Sequence, residues 1–346
     1  MFAPKKTTRL ILLLLLIAAG YLAYVLLGSN TRFTDTKKAV YIPTGSNLPA
    51  VVDLLTQNNI ISNPGIFKMM AKITGYNNKV KPGKYVFENG SSLTTIFRTL
   101  QSGRQTAVNL VITKLRTNDD LALKIASNFE CDTAEVLSFF NNNDSLKRYG
   151  LDTNTAMTMI VPNTYAILWT TPLPKIIRRL QEEQQKFWTP QREQKAAALH
   201  LSYQQVYTLA SIVEEETNIP ADKGKIASVY INRMAIGMPL GADPTIKFAL
   251  KNFSLKRIYQ KHLGVASPYN TYLNRGLPPG PICTPSVKTI DAVLDAPTTN
   301  YLYFVAKPNL DGYSNFAATY TEHLKYARAY QQALDTLMAK KAEGRE

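Results

Sequence analysis

From Leu10 to Leu27 the chain runs without a charged or strongly polar side chain. Such a run cannot face water along its whole length, so it constrains the fold before anything else does. As a helix rising ~1.5 Å per residue it would be roughly 27 Å long, close to the hydrocarbon thickness of a bilayer. Lys5, Lys6 and Arg9 precede it, and the residues just after it are neutral. The positive-inside bias then puts the N-terminus in the cytoplasm and everything after Asn30 outside. The rival is a cleaved signal peptide. Its apolar stretch is shorter and ends in a small-x-small site, for which Gly28-Ser29-Asn30 is a poor match. The expectation is an uncleaved anchor: a cytoplasmic stub over 1–9, a transmembrane helix over 10–28, then an extracytoplasmic body with no second run of this kind.

That body is long enough for two domains, in a chain of 346 residues that is 45% hydrophobic. The formal net charge of +15 suits an anionic partner. It is spread thinly, with no dense basic tract beyond the N-terminus and no nucleic-acid motif, so nucleic acid is not an expected partner. Cys131 and Cys283 neither mark a disulfide framework nor supply a metal site; a bond between them in an oxidising compartment stays open. His200, His262 and His323 lie far apart without metal-ligand spacing, so no metal is expected.

Residues 34–116 predict a small α+β module. Val40–Ile42 reads as a strand, and Leu48, Val51, Val52 and Leu55 as a helical face. Asn63-Pro64 opens a second helix. Tyr85–Phe87 forms another strand, and Ser91 or Ser92 caps a helix that Gly103 closes. Val108–Ile112 is strand-like. Residues 117–201 predict a mainly helical connecting region: one helix capped by Asp119 or Asp120, one opened by Thr133, a turn at Asn141–Asp144, and an amphipathic helix over Pro174–Trp188. Residues 202–340 form the last predicted domain. There Asp222 is a candidate cap for a helix ended by Gly237, Tyr301–Ala306 reads as a strand buried on both faces, and Leu324–Met338 closes as a helix before a frayed tail, Lys340–Glu346.

One short helix carries the candidate chemistry. Ser202 with Gln205 fits a capping box, and Pro220 lies just past the end. Val206, Leu209, Ile212 and Val213 form an apolar stripe, and one more step lands on Glu216, while Glu214 and Glu215 point elsewhere. Desolvation against that stripe would raise one carboxyl of three, as a general acid working near neutral pH requires. A solvated helix end with Glu216 rimming the core is the commoner arrangement. Further on, Asn232 and Arg233 end a helix where they could face a cleft. Tyr269-Asn270-Thr271-Tyr272 sets two aromatics around two small polar residues, and Leu277–Ile282 is a rigid Pro-Pro-Gly-Pro turn able to wall a groove. The tyrosine segment suits a saccharide groove and equally suits a loop whose tyrosines cap a core.

Taken in order, Glu214-Glu-Glu-Thr217, Ile226-Ala-Ser-Val-Tyr-Ile-Asn-Arg233, Ile236-Gly-Met238, Ala242-Asp-Pro-Thr245, Tyr269–Tyr272, Gly276-Leu-Pro-Pro-Gly-Pro-Ile282 and Tyr301–Val305 resemble the MltG (YceG-like) family of endolytic murein transglycosylases. The resemblance implies an α+β fold with a single N-terminal transmembrane helix, a LysM-like glycan-binding module over 34–116 and a mixed α+β catalytic domain. A purely structural platform is the alternative for that module. The family's catalytic glutamate precedes the threonine, which is Glu216 here. Asn232, Asp243, Thr245, Tyr269, Asn270, Thr271 and Tyr272 are the implied substrate-binding residues. No cofactor is implied. The implied partners are peptidoglycan glycan strands and, near the bacterial inner membrane, peptidoglycan synthases. Two departures stand out: Met159–Tyr165 has Val161 and Asn163 where the family has Phe and Asp, and Ser314 stands where the family has His. Two other functions remain in view. A lysozyme-type hydrolase would need a second carboxylate, for which Asp243 and Glu214 are nearest in sequence. A non-catalytic wall anchor would need none.

Overall fold

The computed structural model describes residues 6–343, with side chains over 8–339. Lys5 and the ends of the expected stub and frayed tail lie outside the described residues. The fold mixes helix and strand in two compact units: residues 1–110 with 126–132 and 165–172, and residues 111–125 with 133–164 and 173–346.

The first unit begins with α1 (Lys6–Leu27), long and apolar enough to cross a membrane, with a mean hydropathy of 2.8 over Thr8–Leu27. Most of it is exposed, Tyr24 and Leu27 included, but two residues of its last turn are not. Val25 is buried and Leu26 packs against the same core. Asn30 fastens this turn, its Nδ2 donating to Val25 O at 3.0 Å and its Oδ1 accepting from Ser62 N at 2.9 Å. Then follow β1 (Lys37–Ile42), α2 (Leu48–Gln57), α3 (Pro64–Ile73), β2 (Gly83–Glu88) and α4 (Leu93–Ser102). The strands β1 and β2 pair antiparallel from Lys37↔Glu88 to Ile42↔Gly83. Asn47 caps α2, Ser92 caps α4, and Gly103 ends α4 with φ +72°, a conformation glycine adopts without steric cost. Val40, Ile42, Leu55, Phe67, Tyr85 and Phe97 fill the core. A second two-stranded sheet joins β3 (Val108–Val111) to β4 (Thr164–Ile167). Glu130 receives the Thr44 N–H and hydroxyl, each at 2.6 Å.

The second unit contains α5 (Asn118–Ala126), α6 (Thr133–Phe140), α7 (Asn143–Lys147), α8 (Leu173–Phe187), α9 (Pro190–Ala198), α10 (Tyr203–Glu216), α11 (Pro220–Ala235), α12 (Asp243–Ala249), α13 (Gln260–Leu263), α14 (Val287–Leu294), the antiparallel pair β5 (Tyr303–Ala306) and β6 (Ser314–Ala317), and α15 (Tyr320–Glu343). At its centre, α10 opens with the Ser202/Gln205 capping box and is buried all round from Val206 to Val213. A one-sided stripe does not describe it. Two of its polar side chains tolerate burial because they are bonded: Tyr207 donates to Ile160 O at 2.5 Å, and Ser211 donates to Thr208 O and accepts from Ile282 N.

Other expectations change in detail. Pro220 is the first residue of α11, so Asp222 does not cap that helix; its buried carboxylate accepts from Ser314 N in β6 at 2.7 Å. The Asn141–Asp144 turn runs directly into α7, with Asn142 as its cap. Half-exposed β5 has one partner strand, so it is not buried on both faces. Cys131 and Cys283 are not disulfide-bonded.

Candidate active site

Each of the three glutamates ending α10 has a different setting. Glu214 binds Lys223 at 2.8 Å, and accepts from Ser286 and Thr289. Glu215 binds Lys114 at 3.0 Å and Arg116 at 3.2 Å. Burial pushes both carboxyls up, but these bonds and charges outweigh it and hold them below the usual carboxylate value. Among the described residues Glu216 has no ion pair. Its Oε1 accepts a hydrogen bond from Tyr230 of α11 at 2.6 Å. Desolvation raises this carboxyl to about 7; the Tyr230 bond and the charges of Arg233 and Lys247 oppose the rise, and Asp243 adds to it. Some of its surface remains accessible, as a group exchanging a proton with a ligand requires.

Around Glu216 the helices supply charges and rings. Arg233 donates from Nε to Leu302 O at 2.7 Å and from Nη1 to Leu240 O at 2.5 Å, with its guanidinium over the Tyr303 ring. Asp243 is exposed at the start of α12, and its Oδ1 accepts from Tyr272 at 2.5 Å. Gly241, beside Arg233 and Tyr272, sits at φ +59°, a left-handed conformation that favours glycine. His323 of α15 stacks on Tyr303, where burial and Arg233 push its imidazole down. Among the described residues, no cluster of three or more His, Cys, Asp or Glu side chains could hold a metal.

The expected substrate-binding residues divide into two groups. Asp243 and Tyr272 come together as an accessible hydrogen-bonded pair, and the Asp243 charge bears on Glu216. Half-buried Tyr269 packs on Phe248 and reaches Asn154. Asn270, Thr271 and Thr245 are buried instead, so they are not placed to touch a ligand. Asn270 donates to Leu263 O and Val265 O and accepts from Tyr272 N. Thr271 accepts from Ala242 N and shares a hydrogen bond with Thr245. Asn232 donates to Thr299 O and Tyr301 O, tying α11 to the strand that follows. These amides and hydroxyls hold the loops that present Tyr272 and Asp243. The Pro-Pro-Gly-Pro turn is likewise largely buried, and Gly280 lies where a Cβ would be 2.0 Å from Asn154 O. The helical stripe pointed to Glu216. It could not point to Tyr230, Lys247, Tyr303 or His323, which arrive from other elements.

The second unit is thus a mixed helix-and-strand body whose buried central helix ends in one carboxyl raised toward neutrality. The YceG-like family model matches residues 40–329, and the chain belongs to that family. It is 31% identical over 336 residues to an endolytic murein transglycosylase of Bacillus subtilis, covering 91% of both chains. An endolytic murein transglycosylase of Streptococcus pneumoniae is 27% identical, with 86% of this chain matching 60% of that longer protein. The crystal structure of a YceG-like protein from Listeria monocytogenes superposes with a TM-score of 0.57 at 28% identity, over 84% of this chain and 99% of that one.

Proposed function

We propose that this chain is an endolytic murein transglycosylase, a lyase that cuts peptidoglycan glycan strands between N-acetylmuramic acid and N-acetylglucosamine without water. The observation that carries this reading is the contrast among adjacent glutamates: only Glu216 is raised to about 7, near the pH at which it must both give and take a proton. Glu216 protonates the glycosidic oxygen as the C1–O bond breaks. Its carboxylate then takes the proton of the muramoyl 6-hydroxyl, whose oxygen bonds to C1. Glu216 ends protonated, as it began, and the product carries a 1,6-anhydro end. Asp243 and Tyr272 line the approach, and Tyr269 offers a ring for stacking on sugar. Asn232, Thr245, Asn270 and Thr271 serve by holding those loops.

In this reading residues 1–9 are a cytoplasmic stub, 10–28 anchor the chain in the bacterial inner membrane, and 34–116 are a LysM-like module that binds glycan. Residues 117–201 connect this module to a catalytic domain over 202–340 on the extracytoplasmic side. Its own core and paired strands support treating the module as a separate body. A membrane-held enzyme of this kind acts on new strands, beside the synthases that make them.

Mass analysis of the ends released from purified peptidoglycan tests the reaction. Wild type should give anhydro-muramoyl ends, and Glu216→Gln should lose ~10²–10⁴ in rate while staying folded. The exposed Asp243 carboxylate acting on Glu216 keeps one other reaction in play. Reducing ends would mean hydrolysis, with Asp243 as the second carboxylate. Full activity in Glu216→Gln would sink both.

A further inference from the structure

We propose that Tyr230 fixes the carboxyl of Glu216 so that a single oxygen, Oε2, both delivers the proton and later recovers one. This rests on the acid–base reading of Glu216. Among the described residues, the Tyr230 hydroxyl makes the one hydrogen bond to the Glu216 side chain, 2.6 Å from Oε1. Tyr230 is 1% exposed, with its ring edge-to-face against Phe304. Donor and acceptor both sit on α-helices packed in one core, so the bond has little freedom to re-aim.

The chemistry follows from what each oxygen can do. A phenol donating to a carboxylic acid prefers the carbonyl oxygen, because the O–H oxygen is the poorer acceptor. The acid proton therefore sits on Oε2. Burial and the neighbouring Glu216 hold the Tyr230 phenol well above its ordinary range, so it remains a donor throughout the working pH. Among the described residues, the other polar groups near Glu216 make no hydrogen bond to it. Arg233 is held on the carbonyls of Leu302 and Leu240, and Tyr272 donates to Asp243. Lys247 of α12 bears on Glu216 through its charge only. Without the bond, the terminal torsion of a glutamate is broad and roughly two-fold, and the two oxygens exchange places. The proton would then face the core for part of the time. Tyr230 is thus a positioning residue, since it acts through Glu216 and not on the sugar.

The test is the pH profile of the full chain acting on peptidoglycan. Tyr230→Phe keeps the ring and removes the donor. It should lower kcat about tenfold with KM little changed, since a hydrogen bond to an ionised group is lost. The alkaline limb of kcat should move up by about one pH unit, because that bond favours the ionised form. A structural role alone would reduce the active fraction and leave the limb in place, and an unmoved limb overturns the proposal. Should Tyr230→Phe fail to fold, the infrared spectrum of wild type minus Glu216→Gln decides the matter. The protonated Glu216 carbonyl should absorb at the lowered frequency of a hydrogen-bonded acceptor, and a free-carbonyl frequency overturns the proposal. Activity in Glu216→Gln would instead remove the reading beneath it.

Discussion

Glu214, Glu215 and Glu216 share a side chain and differ only in what faces them. For Glu214 and Glu215, fixed cations lower the folded-state pKa, so their contribution to stability is present above the unfolded value and lost as pH falls through the folded one. Glu216 has the opposite sign. Its folded value, about 7, lies above the ordinary 4.5, so the native state binds this proton more tightly than the unfolded chain does. Its contribution is complete below about 4.5 and is lost as pH rises to about 7. Wild type should therefore lose on the order of 3 kcal/mol across that window from this group alone, taking ~1.4 kcal/mol per unit. Glu216→Gln cannot ionise and still accepts from Tyr230. It should melt above wild type at pH 8 and close to it at pH 4.5, which paired thermal scans would reveal. A lower melting point at pH 8 would mean that the carboxylate is not destabilised in the native state.

At the scale of elements, the segment 263–276 gives a second test. Asn270 ties the start of this loop to its middle through the Leu263 and Val265 carbonyls and the Tyr272 N–H. Asn270→Ala should cost about 2–4 kcal/mol, because those three backbone groups lose their partner away from water. Circular dichroism should show a melting point lower by about 5–10 °C. Turnover should also fall below that of wild type when compared at equal folded fraction, because Tyr272 and Asp243 lose their alignment. Unchanged turnover at equal folded fraction would separate this loop from the chemistry. The same loop shows what a sequence conveys. Periodicity and caps located α2, α4 and α10, because those signals are local to each helix. Tyr269–Tyr272 stood out by composition, but which side chain faced outward depended on carbonyls from Leu263 and Val265, which no spacing rule relates to Asn270. Asp222 is a like case: a cap by position, it became a tertiary acceptor because Pro220 had already opened the helix and β6 brought the Ser314 N–H within reach. The burial of α10 on every side was hidden because its inward-facing polar residues, Tyr207, Thr208 and Ser211, resemble a solvent face until their partners are known. Gly280 reads as a turn residue, yet the close approach of the Asn154 carbonyl is what excludes a side chain there.

For the molecule as a whole, the proposed topology is open to direct measurement. A periplasm-dependent reporter fused after Glu346 should be active and a cytoplasm-dependent one silent; the reverse would remove the anchor reading. The apolar run was the most legible feature of the chain, because length and hydropathy depend on no partner. Its far end was less so. Nothing in the run distinguishes Val25 and Leu26 from the leucines before them, yet these two belong to the core of the first unit, with Asn30 and the Thr94 hydroxyl bonded to their carbonyls. A soluble form cut at the hydropathy boundary would begin after Leu27 and leave a gap where Val25 was. Burying one such side chain is worth roughly 1.5–3 kcal/mol. A form that begins at Tyr24 should therefore melt several degrees above one that begins at Gly28, and equal melting points would show that the last turn adds nothing. The anchor and the body share a hinge-free seam. Under the proposed anchor reading, pulling on α1, by a thicker bilayer or by a tilt, would load the Val25 contacts directly, because the last turn of the helix is itself part of that core.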